Sequence, residues 1–344
     1  MECVRDYKYL GFIITPSGEI NTDLKDLRDR AFRAFMKVKR DLGESFNQDV
    51  SLILSLIDSL IKPILLYASD FWGCFNLPKS NPIENMYMSM LKQVLGVQKQ
   101  TTNDGVLLEL GRVPIVYEAK RLSIKNWERI IRGKGNEPLL DSFKDSLNLN
   151  LPWTIQIKSN LENIGLSNFY MRKYSSKGPY VFKKLFQRLC DIFHQETFEK
   201  IRGNRSKLRT YAIFKKEIGF EKYLSDVKNV SMRTKVTKFR LSNHELIIES
   251  GRHKGIKNPD ERFCPFCPEV VENEFHFLFN CPIYHIPRER FINPITNIIY
   301  NFLALPGEQK LQLVMSCMDQ DLCSFISNSM DIRDFLINKP KRCM

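Results

Sequence analysis

Between Glu261 and Phe291 the sequence runs ERFCPFCPEVVENEFHFLFNCPIYHIPRERF, in which Cys264, Cys267, His276 and Cys281 form a Cys-x2-Cys-x8-His-x4-Cys array. Zinc takes four soft or borderline donors in a tetrahedron, and two cysteines three apart on a turn can both face one ion. His276 and Cys281 can close the shell from one helical turn and its end. Four protein ligands leave no open position, so zinc here is structural rather than hydrolytic, holding together a segment too small to bury its own core. The competing reading is a chance cluster of reduced cysteines beside a packed histidine. His285 is a poorer ligand because Cys281 already completes the set, and His253 reads as a surface histidine. Phe263, Phe266, Phe275, Phe277 and Phe279 surround the array. They read as core, although one exposed ring could stack on a base.

Other chemistry is hard to find. The sequence has no phosphate-cradling Gly-rich loop, no His-Glu-x-x-His, no Gly-x-Ser-x-Gly and no Asp-Asp pair in a hydrophobic strand able to hold polymerase magnesium ions. The remaining cysteines, Cys3, Cys74, Cys190, Cys317, Cys323 and Cys343, are scattered, and an odd total of nine argues against a disulfide framework. Glu2, Arg5, Asp6 and Lys8 interrupt any secretory h-region, and Asp58, Lys62, Pro63 and Asp70 interrupt the most apolar stretch, Val50 to Phe75. The expectation is an intracellular protein, in cytoplasm or nucleus, with no membrane partner and no small-molecule substrate.

Lys and Arg outnumber Asp and Glu 52 to 39, a formal net charge of +13. From Lys200 to Arg262 the count is 17 against 7, so +10 of that excess sits in one stretch. Concentrated positive charge points to a polyanion, here nucleic acid. The candidate phosphate contacts are Arg202, Arg205, Lys207, Arg209, Arg233, Lys235, Lys238, Arg240, Arg252 and Lys254. Tyr211 and Phe214, interleaved with them, suit stacking platforms or an amphipathic core equally well.

Helical periodicity dominates the rest, so the expected fold is mainly α with a minor β part. Residues 1–20 read as a β-hairpin: Tyr9 to Ile14 has strand composition, and Pro16-Ser17-Gly18 supplies turn chemistry. Asn21 or Thr22 can cap a helix that Gly43 stops; Asp49 to Phe71 is a buried helix kinked or broken at Pro63; Ile83 to Leu95 and Tyr117 to Arg132 are two more, ended by Gly96 and Gly133. The expected divisions are a helical piece over 21–132, a loose linker over 133–180, a basic helical region over 181–250, the Cys/His region over 251–300 and a helical tail over 301–344.

Several of these segments together resemble the C-terminal half of the reverse transcriptase of non-LTR, LINE-like retrotransposons. YKYLGFIITPSGEI is similar to the strand that closes the palm, with Tyr9, Leu10 and Gly11 matching the primer-grip element. LIKPILLYASDFW resembles a thumb helix, Ala68 and Asp70 standing where the family usually has Gly and Glu. ELGRVPI, KNWERI and above all FRLSNHELIIESGRHKG followed by the Cys-Cys-His-Cys array are also similar. The resemblance covers most of the chain, more loosely over 133–200 and 301–344. It implies a palm end, a thumb and a zinc region that grip template RNA and target DNA. The catalytic aspartates, and the magnesium they hold in the full-length polymerase, are expected upstream of Met1 in a missing N-terminal polymerase region, leaving this chain inactive as a polymerase alone. The alternative expectation is a zinc-stabilised protein-interaction module co-opted from a retroelement.

Overall fold

A computed structural model of the chain describes residues 7–14, 19–78, 80–132, 137–171, 180–203, 206–317 and 320–338. Among them the architecture is mainly α, with two antiparallel hairpins, Tyr7–Tyr9 with Phe12–Ile14 and Phe263–Cys264 with Cys267–Val271.

The chain forms two compact units. The first comprises Met1–Gly43, Leu54–Met90 and Val113–Glu196. Its opening hairpin turns earlier than expected. Tyr9 pairs with Phe12, and Leu10 and Gly11 take φ of 47° and 87°, so these two residues form the turn. The candidate primer-grip trio therefore straddles a strand end and a tight turn, and the expected turn at Pro16-Ser17-Gly18 lies outside the described residues. The helix Asn21–Leu42 buries Leu24, Leu27, Ala31 and Phe35 on one stripe. At its end Gly43, at φ 51°, donates its amide to the Arg40 and Lys39 carbonyls, the stop expected of a glycine. Ahead of Pro63 the chain widens into a π turn, Ile57–Ile61, before resuming as Lys62–Leu65. A proline removes one amide and crowds the carbonyl four residues back, and the wider turn absorbs both.

The stretch expected as a loose linker is largely helical. Glu137–Asn148, Pro152–Asn163 and Ser167–Met171 pack against Ile115–Ile131 and Val181–Arg202 through Ile124, Trp127, Phe143, Ile157, Leu161, Val181 and Leu185. Gly, Pro and Asn there mark the ends of short helices rather than an unstructured run, Pro152 sitting in a first turn where its missing amide costs nothing.

The second unit comprises Glu44–Ile53, Leu91–Arg112 and Thr197–Met344. Expected divisions at 250 and 300 do not interrupt it, because Phe277 of the Cys/His region packs its ring 5.4 Å from Phe239 and 5.6 Å from Phe325. Part of the expected 21–132 piece also belongs here. Asn103–Glu109 ends in a bridge from Leu110 to Phe220, where a Cβ on Gly111 (φ 63°) would stand 2.5 Å from the Phe220 amide nitrogen.

Candidate metal centre

Cys264 and Cys267 face each other across the two-residue turn Pro265-Phe266 that joins Phe263–Cys264 to Cys267–Val271. The tight turn also aims amides at sulfur: Phe266 and Cys267 hydrogen-bond the Cys264 thiol, and Ile283 does the same for Cys281. Such N–H groups stabilise a thiolate once a metal has displaced its proton.

His276 and Cys281 come from the other side. Five residues apart on an α-helix, they would point roughly 140° away from each other. Instead His276–Asn280 is a π turn, closed by the Cys281 amide donating to the His276 carbonyl at 2.8 Å. That wider turn brings the fifth residue back under the first. Arg288 holds the end in place, its guanidinium donating to the carbonyls of Leu278 at 2.8 Å, Phe277 at 3.2 Å and Cys281 at 2.7 Å.

The four donor atoms all lie within 4.8 Å of one another, and these residues could hold a metal ion. The sulfurs of Cys267 and Cys281 are 3.8 Å apart. A tetrahedron of metal–sulfur bonds of about 2.3 Å has an edge of about 3.8 Å. His276 is buried, and neither ring nitrogen has a hydrogen-bond partner among the described residues. An orphaned buried imidazole costs free energy that a metal bond would return. Burial pushes the Cys264 thiol up and the Cys281 thiol up to about 12, and holds the His276 imidazole below its ordinary value. Metal binding at neutral pH therefore displaces thiol protons onto solvent, while the imidazole is already neutral. With three sulfurs and one nitrogen the site is closed, and no water or substrate position remains.

Polar anchors set the surroundings. Glu272 accepts from Arg333 through both oxygens at 2.8 and 2.7 Å and from the Ile247 amide at 2.6 Å, tying the hairpin to the helix Gln320–Asn338. Two residues on, buried Glu274 accepts from Arg209 and pairs with His244 at 3.2 Å.

The candidate phosphate contacts separate sharply. Arg240 is not a surface cation: it is 2% exposed and bonds Glu109, itself 0% exposed, at 2.6 Å and Glu221 at 2.8 Å. Tyr211 and Tyr223 donate to the same Glu109 carboxylate at 2.8 and 2.7 Å. Arg233, also buried, donates to the carbonyls of Asn47, Gln48 and Val227. Both are corrected from phosphate contacts to interior anchors, since freeing either would strand buried acceptors. One sign of this is in the sequence: Arg233 and Arg240 share the helix face of Val236 and Thr237, both buried, at spacings of three and four. Arg209 bridges Glu249 and Glu274, and Lys235 pairs with Asp331 at 2.6 Å. Lys207 and Lys238 are half-buried; Arg202, Arg252 and Lys254 are exposed; Arg205 lies outside the described residues. Glu109 entered the sequence reading only as the first residue of ELGRVPI, with no role of its own, because its partner is 131 residues away.

No helix among the described residues is long and apolar enough to cross a membrane. Comparison of the chain with protein-family models, with curated proteins and with solved structures returned no match.

Proposed function

We propose that this chain is the nucleic-acid-gripping C-terminal portion of a LINE-like reverse transcriptase, carrying a structural zinc at Cys264, Cys267, His276 and Cys281 and no polymerase aspartates of its own. The observation that carries this reading is the convergence of those four donors directly after FRLSNHELIIESGRHKG, the segment most similar to that family. Three sulfurs and a borderline nitrogen with no open position favour zinc over harder ions. Arg202, Lys207, Arg252 and Lys254 remain solvent-accessible in the second unit and supply the phosphate contacts to RNA and DNA.

Phosphate-led binding weakens steeply with salt and selects little among sequences. Filter binding of RNA and single-stranded DNA across a salt series tests it. Charge reversal at Lys207, Arg252 and Lys254 is expected to cut affinity at least tenfold and flatten the salt slope; affinity unchanged by salt and by these substitutions rejects nucleic-acid gripping. A zinc-stabilised protein-interaction module is the second reading. It is favoured by the exposure of Ile298, Tyr300 and Leu303 at 83%, 95% and 68% beside the Cys/His region, and it predicts that the same charge reversals leave nucleic-acid affinity flat.

A further inference from the structure

The first unit holds a cavity of about 590 Å³ that no role given above uses. Its walls are apolar, formed by Leu66, Leu122 and Phe182. Ser69 is among the lining residues; it is 1% exposed and its hydroxyl has no hydrogen-bond partner among the described residues, an unanswered polar atom beside the cavity.

The rim is charged. Lys125 and Arg129 are exposed, one turn apart on Ile115–Ile131, and neither enters an ion pair among the described residues. Like charges at this spacing destabilise a helix unless an anion sits between them. Lys125 also lies 5.9 Å from the centre of the Phe182 ring, so an anion drawn to it is held beside an aromatic face. The deeper charges are already matched. Glu128 pairs with Arg132 at 2.6 Å and accepts from the Val181 and Phe182 amides at 3.0 and 3.2 Å, filling the N-terminal end of the helix Val181–Arg202. Asp70 completes the lining with an acceptor for amino or hydroxyl groups, and Asn126 accepts from Arg129 at 3.1 Å, which positions that guanidinium at the rim.

We propose that this cavity is a nucleotide site: a base lies against Phe182 between Leu66 and Leu122, Ser69 and Asp70 take its polar edge or the ribose hydroxyls, and Lys125 and Arg129 hold the phosphate. The volume suits one nucleotide rather than a strand. An alkyl chain with a carboxylate head would leave Ser69 and Asp70 unanswered, which a nucleotide does not. A free nucleotide and the terminal or looped-out residue of an RNA or DNA present the same chemistry to these walls. This site is independent of the basic surface of the second unit.

The test is calorimetric titration of the full chain with AMP, CMP, GMP and UMP, and separately with 5′-phosphorylated ten-residue RNA and DNA, with inorganic phosphate as the control. Saturable sub-millimolar binding of at least one nucleotide form is expected. It should fall at least tenfold in Lys125→Glu/Arg129→Glu and in Leu122→Trp, which fills the cavity, while Arg33→Glu/Lys37→Glu, two exposed cations of the same unit on Asn21–Leu42, leaves it unchanged. Binding of mononucleotides assigns a free ligand; binding of oligonucleotides alone assigns a strand residue. No binding of either, binding that the cavity variants leave intact, or equal binding of inorganic phosphate overturns the site. The rim double variant changes only exposed side chains and retains the fold if Leu122→Trp does not.

Discussion

Glu109 shows how one buried carboxylate organises its surroundings. Burial pushes it up, but the Arg240 charge and the hydrogen bonds of Arg240, Tyr223 and Tyr211 outweigh that and hold it below its ordinary value. Removing one member of such a pair leaves the other charge buried and unmatched, at a cost of about 3–5 kcal/mol. Glu109→Ala is expected to lose that much in urea unfolding followed by far-UV circular dichroism, and Glu109→Leu/Arg240→Met to recover part of it. Glu84 behaves oppositely. Burial pushes its carboxyl up to about 7, although the Val116 and Ile115 amides pull it down. The folded chain keeps a proton that the unfolded chain releases near pH 4.5, so the stability from this group is full below that pH and is lost as pH rises through about 7. Glu84→Gln should flatten that dependence, gaining roughly 2–3 kcal/mol over the parent at pH 8 relative to pH 5. An unchanged pH profile in the variant would remove Glu84 as its cause.

At the scale of elements, two irregular turns do what regular helix could not. The π turn at His276–Asn280 presents two donors to one point, and the one at Ile57–Ile61 accommodates Pro63. A third irregularity carries strain. Ala68 precedes the helix Ser69–Trp72 in the left-handed region, at φ 55° and ψ 18°. A side chain there costs about 1 kcal/mol that a glycine avoids. Ala68→Gly is expected to stabilise the first unit by about 1 kcal/mol, read as a higher urea midpoint in tryptophan fluorescence. A lower midpoint would show that helix-start entropy outweighs the strain.

The whole molecule offers a built-in reporter. Its three tryptophans, Trp72, Trp127 and Trp153, all belong to the first unit, whereas the Cys/His centre belongs to the second. Stripping the proposed zinc with a strong chelator removes the bonds that satisfy His276 and join the hairpin to the π turn. The thermal transition in circular dichroism should then shift down or split, while the tryptophan fluorescence midpoint stays in place. Equal shifts in both signals would mean that the two units unfold together, and no shift in either would mean that the centre holds no metal.

The Cys/His array, the predominance of helix and the stops at Gly43 and Gly96 were legible in the chain, because each rests on spacings within a few residues. Local spacing could not tell a solvated cation from a buried one. Arg240 and Lys254 contribute alike to the charge of the basic stretch, yet Lys254 is exposed, whereas Arg240 lies against Glu109, 131 residues earlier in the chain. The helix face that Arg233 and Arg240 share with Val236 and Thr237 was a local sign of their burial, but the partners that make them core anchors, Glu109 and the Asn47 and Gln48 carbonyls, come from distant segments. The tertiary structure also decided that residues 137–171 are packed helices, that the Cys/His region shares a core with the last helix, and that a cavity opens beside Phe182. Burial and pairing depend on which distant segments meet, and a period of three or four residues carries no record of that.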